Sequence, residues 1–227
     1  MPRAIQDFKT NWFTETLKAH RLTSLSIWNA LLLNRVYGLR CEDVLYPPID
    51  SSYFRSADKK DNKVIVFIGN KYDTDLVALR NCVLIIRKIM PELEIQYFGN
   101  YELGLNFANI NKIEMKYLGK PNRHELANLL SKAILSISPI YNGNLEMFPL
   151  ESLFAGTPII SFIQPFLEIT GMTNNFCNII DYKEIEKRII LWKNESNKES
   201  MRRDQLMIRD VLDSNKFALS LIKILTE

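Results

Sequence analysis

Short apolar runs that end at Gly or Pro alternate with amphipathic segments over most of the chain. Residues 64–68 are continuously apolar and are closed by Gly69, which predicts a strand over 63–69 that is buried on both faces. Apolar residues then recur at three- and four-residue spacing and predict a helix over 75–90, which Pro91 ends. The same reasoning predicts further strands over 93–98, 112–118, 133–138, 158–162 and 178–180, and further helices over 122–132, 149–154, 182–193, 201–212 and 215–225.

This alternation predicts an α/β fold with a doubly wound, Rossmann-like parallel sheet over residues 61–227. Residues 1–60 have a different pattern and predict an N-terminal helical segment followed by a linker. Helices are expected over 10–20 and 27–37, with a short strand over 22–26 between them. The two prolines within 43–50 favour an extended conformation there, since each restricts the residue before it, and the polar stretch 51–62 is typical of a linker.

Composition narrows the functional class. Hydrophobic residues make up 47% of the 227 and charged residues 24%, which is typical of a globular protein. The formal net charge of +3 excludes the large basic surplus of a nucleic-acid coat protein, so no nucleic-acid partner is expected. The three cysteines form no CxxC pair, which argues against a zinc site or a disulfide framework. We find no signal peptide and no membrane-length apolar run, and therefore expect a cytoplasmic location.

Candidate chemistry lies just after the predicted strands, because ligands of open parallel sheets bind beyond the carboxyl ends of the strands. The segment 139–148 is the most suggestive, since a Gly/Asn-rich loop there leads directly into the start of a helix. Backbone N–H groups at such a junction suit an anion such as a diphosphate. The alternative is an ordinary strand-to-helix turn, and the spacing alone does not decide between the two.

Residues 133–160 resemble the donor-site block of group 1 glycosyltransferases with the GT-B fold, which reads approximately PSxxEGFGLxxLEAxAxGxPVV. Without a gap, Pro139 falls on the proline of that block, and Ala155 to Pro158 fall on its AxGxP. Residues 116–119 are similar to its FLG stretch, and residues 44–50 to its VIPNGVD interdomain linker. The resemblance extends over roughly residues 22–225 and implies the C-terminal donor-binding domain, which is half of a GT-B fold.

The resemblance implies transfer of a sugar from a UDP- or GDP-sugar to an unspecified acceptor, with retention of configuration and without an obligatory cofactor or metal. Glu151 matches the second of the family's two glutamates, which binds the ribose hydroxyls. The first, which contacts the transferred sugar, falls on Gly143, so Glu146 three residues later is the candidate catalytic group. The residues expected to hold the donor are Gly69, Asn70, Lys71, Gly143, Asn144, Leu145, Met147, Phe148 and Glu151.

Two departures from the family pattern follow the first strand of the domain. Asn70 stands where the family has an arginine, and Asp75 lies near the position of its lysine; that pair neutralises the leaving diphosphate. Lys71 is the nearby cation. The alternative hypotheses are therefore a catalytically inactive nucleotide-sugar-binding or regulatory module, and the donor subunit of a split glycosyltransferase.

The expected partners follow from the length and from the first helices. Because a GT-B enzyme needs two Rossmann-like domains, we expect a partner chain or homodimer to supply the acceptor side. Apolar residues on the first helices predict core packing, or else docking of that partner or peripheral membrane contact through nearby Lys9, Lys18 and Arg21. These apolar residues are Trp12, Phe13, Trp28 and Leu31 to Leu33. We interpret His124 as a surface residue, and the only other histidine is His20.

Overall fold

A computed structural model describes residues 22–50, 52–54, 57, 60–141, 146–162, 175–193 and 198–226. The strands within this part of the chain are β1 (Thr23–Ser24), β2 (Asp43–Val44), β3 (Asp61–Ile68), β4 (Glu94–Gly99), β5 (Lys116–Tyr117), β6 (Ala133–Ser138), β7 (Ile159–Ser161) and β8 (Phe176–Asn178). The last six form one parallel sheet in the order β5-β4-β3-β6-β7-β8, while β1 and β2 form a separate parallel pair. The predicted doubly wound parallel sheet is thus confirmed.

The helices in the same part of the chain are α1 (Ile27–Tyr37), α2 (Leu76–Ile89), α3 (Tyr101–Asn111), α4 (Arg123–Lys132), α5 (Met147–Phe154), α6 (Tyr182–Lys193), α7 (Lys198–Val211) and α8 (Ser214–Thr226). Side-chain caps set several of their starts. Asp75 accepts hydrogen bonds from Val77 N and Ala78 N at the start of α2. Asn122 and Glu125 form a capping box at the start of α4.

Side chains of the central strand β3 alternate between two cores, one on each face of the sheet. Val64, Val66 and Ile68 pack with residues of α2 and α6, whereas Ile65 packs with residues of α4, α5 and α7. The second core also includes Ile49 and Phe54, both fully buried. Helices therefore cover both faces of the sheet, which leaves its carboxyl edge as the place where loops can build a site.

Several predicted boundaries need correction. Residues 101–111 form α3, which is missing from the predicted elements because Gly104 and three asparagines weaken its helical pattern. Of the predicted strand 112–118, only Lys116–Tyr117 (β5) is a strand, because Lys112 adopts a left-handed conformation that ends α3. Strand β8 begins two residues before the predicted 178–180. Helix α5 begins at Met147 instead of residue 149, since a proline fits within its first turn.

The apolar side chains of α1 lie at the surface. Trp28, Leu31 and Leu32 are about half exposed, with 58, 61 and 48% of their surface accessible, so the core-packing alternative is wrong for these three. The predicted helix 10–20 and its residues Lys9, Trp12, Phe13, Lys18, His20 and Arg21 lie outside the described residues. Among the described helices, none combines the length and the apolar composition that crossing a membrane requires.

Lys60 connects the C-terminal ends of α4 and α5. Its ammonium group donates to Ser131 O at 2.7 Å, to Gly156 O at 3.1 Å and to Thr157 Oγ1 at 2.9 Å. Burial lowers the pKa of this amine to about 8. The two helices are thereby held together at the edge of the sheet opposite the carboxyl ends of the strands.

Gly104 allows α3 to lie directly on the ring of Tyr97. A Cβ atom at Gly104 would lie 2.1 Å from Tyr97 Cε2. The Tyr97 ring is 2% exposed and packs against Tyr117 with centroids 5.1 Å apart, so it has no space into which to move. The close approach requires glycine at this position, although glycine is a poor helix former.

We predict that Gly104→Ala lowers the free energy of unfolding by about 1–3 kcal/mol, because it overpacks this contact. Helix propensity alone would give the opposite sign, a gain of about 1 kcal/mol. Urea denaturation measures the difference. Asn106→Ala, at an exposed position of the same helix, is the control and should be neutral or slightly stabilising. A Gly104→Ala variant as stable as the wild type would contradict the prediction.

Candidate active site

The two loops that the sequence singles out meet at the carboxyl edge of the sheet. Asp75 N donates to Pro139 O at 2.8 Å, and Tyr141 N donates to Asp73 O at 3.0 Å. Thr74 and Ile140 form an antiparallel bridge between these two bonds. The loop after β3 and the segment after β6 are thus joined through their backbones, and the residues they carry lie around one site.

Gly69 lies tightly against this junction. A Cβ atom there would lie 2.4 Å from Ile140 Cδ1 and 3.3 Å from Thr74 Oγ1. A larger residue would displace the end of the Ile140 side chain, which is buried at the bridge between the loops. The role of Gly69 beside a ligand stays a prediction.

Asn70 shapes the loop with both its side chain and its backbone. Its Oδ1 accepts from Tyr72 N at 2.8 Å, its amide group donates to the Asp73 carboxylate, and its carbonyl accepts from Thr74 N at 3.1 Å. Lys71 is exposed, and its ammonium lies 4.9 Å from the centroid of the Tyr72 ring. Lys71 is the one cation that the loop 69–75 offers to a ligand.

Glu146 is the N-cap residue of α5, but its side chain does not cap the helix. Its Oε2 instead accepts a hydrogen bond from the Ser138 hydroxyl at 2.8 Å. Burial raises the pKa of Glu146 to about 7; the bond from Ser138 opposes this effect, and the nearby charge of Asp73 adds to it. A carboxyl group that titrates near neutral pH can either donate or accept a proton.

Glu151 lies in the second turn of α5, not in the first turn as predicted, because the helix starts two residues earlier. The residue is only 7% exposed, and its Oε1 lies 3.5 Å from Nη2 of Arg123, the first residue of α4. Burial raises the pKa of Glu151, and the Arg123 charge opposes that shift. Arg123 is absent from the residues predicted for the site, because nothing in a linear pattern links position 123 to position 151.

Met147 and Phe148 turn their side chains to the core. Phe148 is 6% exposed and packs against the rings of Phe67 and Phe98, with centroids 5.6 and 5.3 Å away. These two residues can offer a ligand their backbone N–H groups, because first-turn N–H groups have no partner within a helix. The three other loop residues expected to contact the donor, Gly143, Asn144 and Leu145, lie outside the described residues.

The described structure shows no catalytic role for His124 and no metal site. His124 is exposed and makes an edge contact with Tyr53, with ring centroids 6.0 Å apart, as expected for a surface residue. Within the described part of the chain, no cluster of three or more His, Cys, Asp or Glu side chains could hold a metal ion.

No protein-family model and no curated protein matches the sequence, but its structure is similar to many solved ones. A TarM variant from S. aureus superposes with a TM-score of 0.75 at 10% identity, over 96% of this chain and 46% of that one. HepE from Anabaena, solved with UDP-glucose, superposes with a TM-score of 0.74 at 12% identity, over 92% of this chain and 64% of that one. The chain has the fold of a GT-B glycosyltransferase.

Its position within the GT-B fold is also clear. The C-terminal domain of a group 1 glycosyltransferase, LpcC from Francisella tularensis, is covered over 99% of its length by 73% of this chain, with a TM-score of 0.58 at 8% identity. The chain spans 46% of TarM and 64% of HepE. The GT-B fold present here is therefore the C-terminal half, as the sequence resemblance predicted.

Glu146 gives the first prediction for this site. Between pH 4.5 and about 7, the folded chain holds a proton on Glu146 that the unfolded chain has released. The free energy of unfolding of the wild type therefore falls as the pH rises through that window, because the folded chain must ionise a half-buried carboxyl group. Glutamine cannot ionise, so Glu146→Gln should be more stable than the wild type by about 1–3 kcal/mol at pH 8, and by much less at pH 5.

Urea denaturation at the two pH values measures the effect of Glu146→Gln. Glu102→Gln, at an exposed position in the first turn of α3, is the matched control and should show no pH-dependent difference. Equal stabilisation of Glu146→Gln at pH 5 and pH 8 would show that burial does not raise the pKa of Glu146.

The Arg123–Glu151 ion pair gives the second prediction. Arg123→Met leaves a buried carboxylate without its cation and should cost about 1–2 kcal/mol of unfolding free energy at pH 8, a figure reduced because the Arg123 side chain is 52% exposed. The cost should be smaller at pH 5, where Glu151 can take up a proton. Arg123→Lys retains the charge and should recover part of the loss. A cost that is the same at both pH values would contradict the pairing.

Proposed function

We propose that this chain binds a nucleotide-diphosphate sugar, UDP- or GDP-linked, at the carboxyl edge of the sheet and transfers the sugar to an acceptor with retention. The observation that carries the proposal is the placement of two carboxyl groups on α5: half-buried Glu146 at its N-cap, beside Ser138 and Asp73, and buried Glu151 in its second turn. The similar HepE structure contains UDP-glucose, which supports the choice of donor.

Each part of the donor meets suitable chemistry in this proposal. The ribose hydroxyls donate to the Glu151 carboxylate, whose ionised form the Arg123 charge favours against the effect of burial. The diphosphate accepts hydrogen bonds from the N–H groups of Met147 and Phe148, where the dipole of α5 is positive. No cofactor or metal is needed to hold it.

Glu146 is the proposed catalytic residue and lies beside the transferred sugar. Its pKa of about 7 allows it to hold a proton while it binds a sugar hydroxyl, or to accept one from the incoming acceptor. Ser138 fixes one of its oxygens and leaves the other for the substrate. This assignment places the reacting end of the donor at the joined loops and its ribose at Glu151.

A second candidate function is a nucleotide-sugar-binding module without catalysis. Asn70 is neutral and Asp75 is an anion that caps α2, so neither supplies the positive charge that a leaving diphosphate requires. Loss of that electrostatic stabilisation costs on the order of several kcal/mol in the transition state. A partner chain or second copy that supplies the acceptor side and a cation is part of the same proposal.

The proposed donor site predicts thermal stabilisation by nucleotides. UDP or GDP, or a sugar conjugate of either, at 100 times its Kd should stabilise the chain by about 2.7 kcal/mol, or roughly 5–10 °C in melting temperature. Glu151→Gln should weaken binding at least about tenfold, because it removes the negative charge and replaces one of the two oxygens that accept from the ribose hydroxyls by an NH2 donor. Differential scanning fluorimetry measures both effects.

Glu186→Gln is the matched control for Glu151→Gln, since Glu186 forms an exposed ion pair with Lys88 on the surface. It should bind nucleotides like the wild type. If no member of the panel shifts the melting temperature of the wild type, the proposed function is wrong. Release of free nucleotide from a bound sugar conjugate, lost in Glu146→Gln, would favour the enzyme over the inactive module.

A further inference from the structure

Two tyrosine rings stand exposed on the loops that join at the candidate active site. Tyr72 follows β3 and is 72% exposed, and Tyr141 follows β6 and is 51% exposed. Neither ring belongs to the core, and the donor roles proposed above use neither. Burying an aromatic ring against a ligand is favourable, so exposed rings beside a candidate site are suited to form a binding surface.

Hydrogen bonds hold the backbone that carries both rings. Tyr141 donates from its amide to Asp73 O at 3.0 Å and from its hydroxyl to Tyr72 O. Tyr72 N donates to Asn70 Oδ1 at 2.8 Å, and the edge of Phe162 supports the Tyr141 ring, with centroids 6.2 Å apart. The Tyr141 ring and the backbone of Tyr72 are therefore preorganised, which lowers the entropic cost of binding a ligand there.

Polar groups that suit hydroxyls lie next to the pair. Asp73 follows Tyr72 and accepts from the Asn70 amide group. Asp73 also lies close enough to Glu146 for its charge to act on that carboxyl group. Lys71 covers the Tyr72 ring at 4.9 Å from its centroid. Carboxylate and amide groups thus flank an aromatic surface.

We infer that Tyr72 and Tyr141 form a binding surface for a pyranose ring, resting on the proposed glycosyl transfer. A pyranose has a face of C–H groups and a rim of hydroxyls. The C–H face, slightly positive, matches the negative face of an aromatic ring, while carboxylates and amides accept from and donate to the hydroxyls. A nucleobase would also stack on an aromatic ring, but it has no rim of hydroxyls to meet the Asp73 carboxylate, so a pyranose matches this surface better.

The pyranose can come from either of two sources, the sugar of the donor or that of a carbohydrate acceptor. Titration calorimetry of the full chain distinguishes them, with UDP, GDP, UDP-glucose, UDP-N-acetylglucosamine, GDP-mannose and maltose as probes. We expect Tyr72→Ala and Tyr141→Ala to leave the Kd for UDP and GDP within about twofold. If the donor sugar stacks on the rings, both variants should raise the Kd for a nucleotide sugar about tenfold. If an acceptor sugar stacks there, they should raise the Kd for maltose about tenfold.

Two further variants separate ring stacking from loop damage. Tyr141→Phe keeps the ring and loses only the bond to Tyr72 O, so it should retain most of the sugar affinity. Tyr182→Ala removes another exposed ring, at the start of α6, whose hydroxyl accepts from the Asn81 amide, and it should change no Kd. If UDP or GDP binds but neither alanine variant weakens any sugar probe, the inference is overturned and the proposed function stands. If no nucleotide binds, the proposed function fails, and the inference that rests on it fails too.

Discussion

The parallel pairing of β3 with β6 is the constraint on which the rest of the structure depends. These central strands run side by side with Val64 opposite Leu135 and Val66 opposite Ile137, so their carboxyl ends reach the same edge. The loops that follow must then pass each other, and they do so through backbone hydrogen bonds, with the Ile140 side chain packed against Gly69. Every group in the candidate site is placed relative to that junction.

Burial beside the junction determines the chemistry of the two carboxyl groups. Both lose solvation, which favours their neutral forms, but their neighbours differ. Glu151 faces Arg123, whose charge favours the ionised form, whereas Glu146 faces a neutral Ser138 hydroxyl and the negative charge of Asp73. Two carboxyl groups on one short helix are thus suited to different tasks, one as a hydrogen-bond acceptor and the other as a group that exchanges protons.

The sequence predicts those features that follow from local patterns. An apolar run closed by glycine predicts strand β3, and an asparagine cap predicts helix α4. The topology of parallel sheets brings the loops after their strands to one edge. Helix α3 is missed because its apolar face includes Gly104, which is there to admit Tyr97 and not to favour a helix. The Arg123–Glu151 pair, the environment of Glu146 and the Tyr72–Tyr141 pair depend on contacts between distant positions, which a single sequence does not encode in its periodicity.

The hydrogen bonds of the Lys60 ammonium group determine which parts of α4 and α5 can move around Glu151. It fastens α4 and α5 together at one end, while Arg123 and Glu151 face each other nearer the other end. Helices fixed in this way stay together while a surface side chain between them moves. Arg123, half in solvent, has only to rotate about its own side-chain bonds, a motion of picoseconds to nanoseconds at a surface. The Arg123–Glu151 ion pair can therefore open and close through the movement of a single side chain, while the two helices keep their positions.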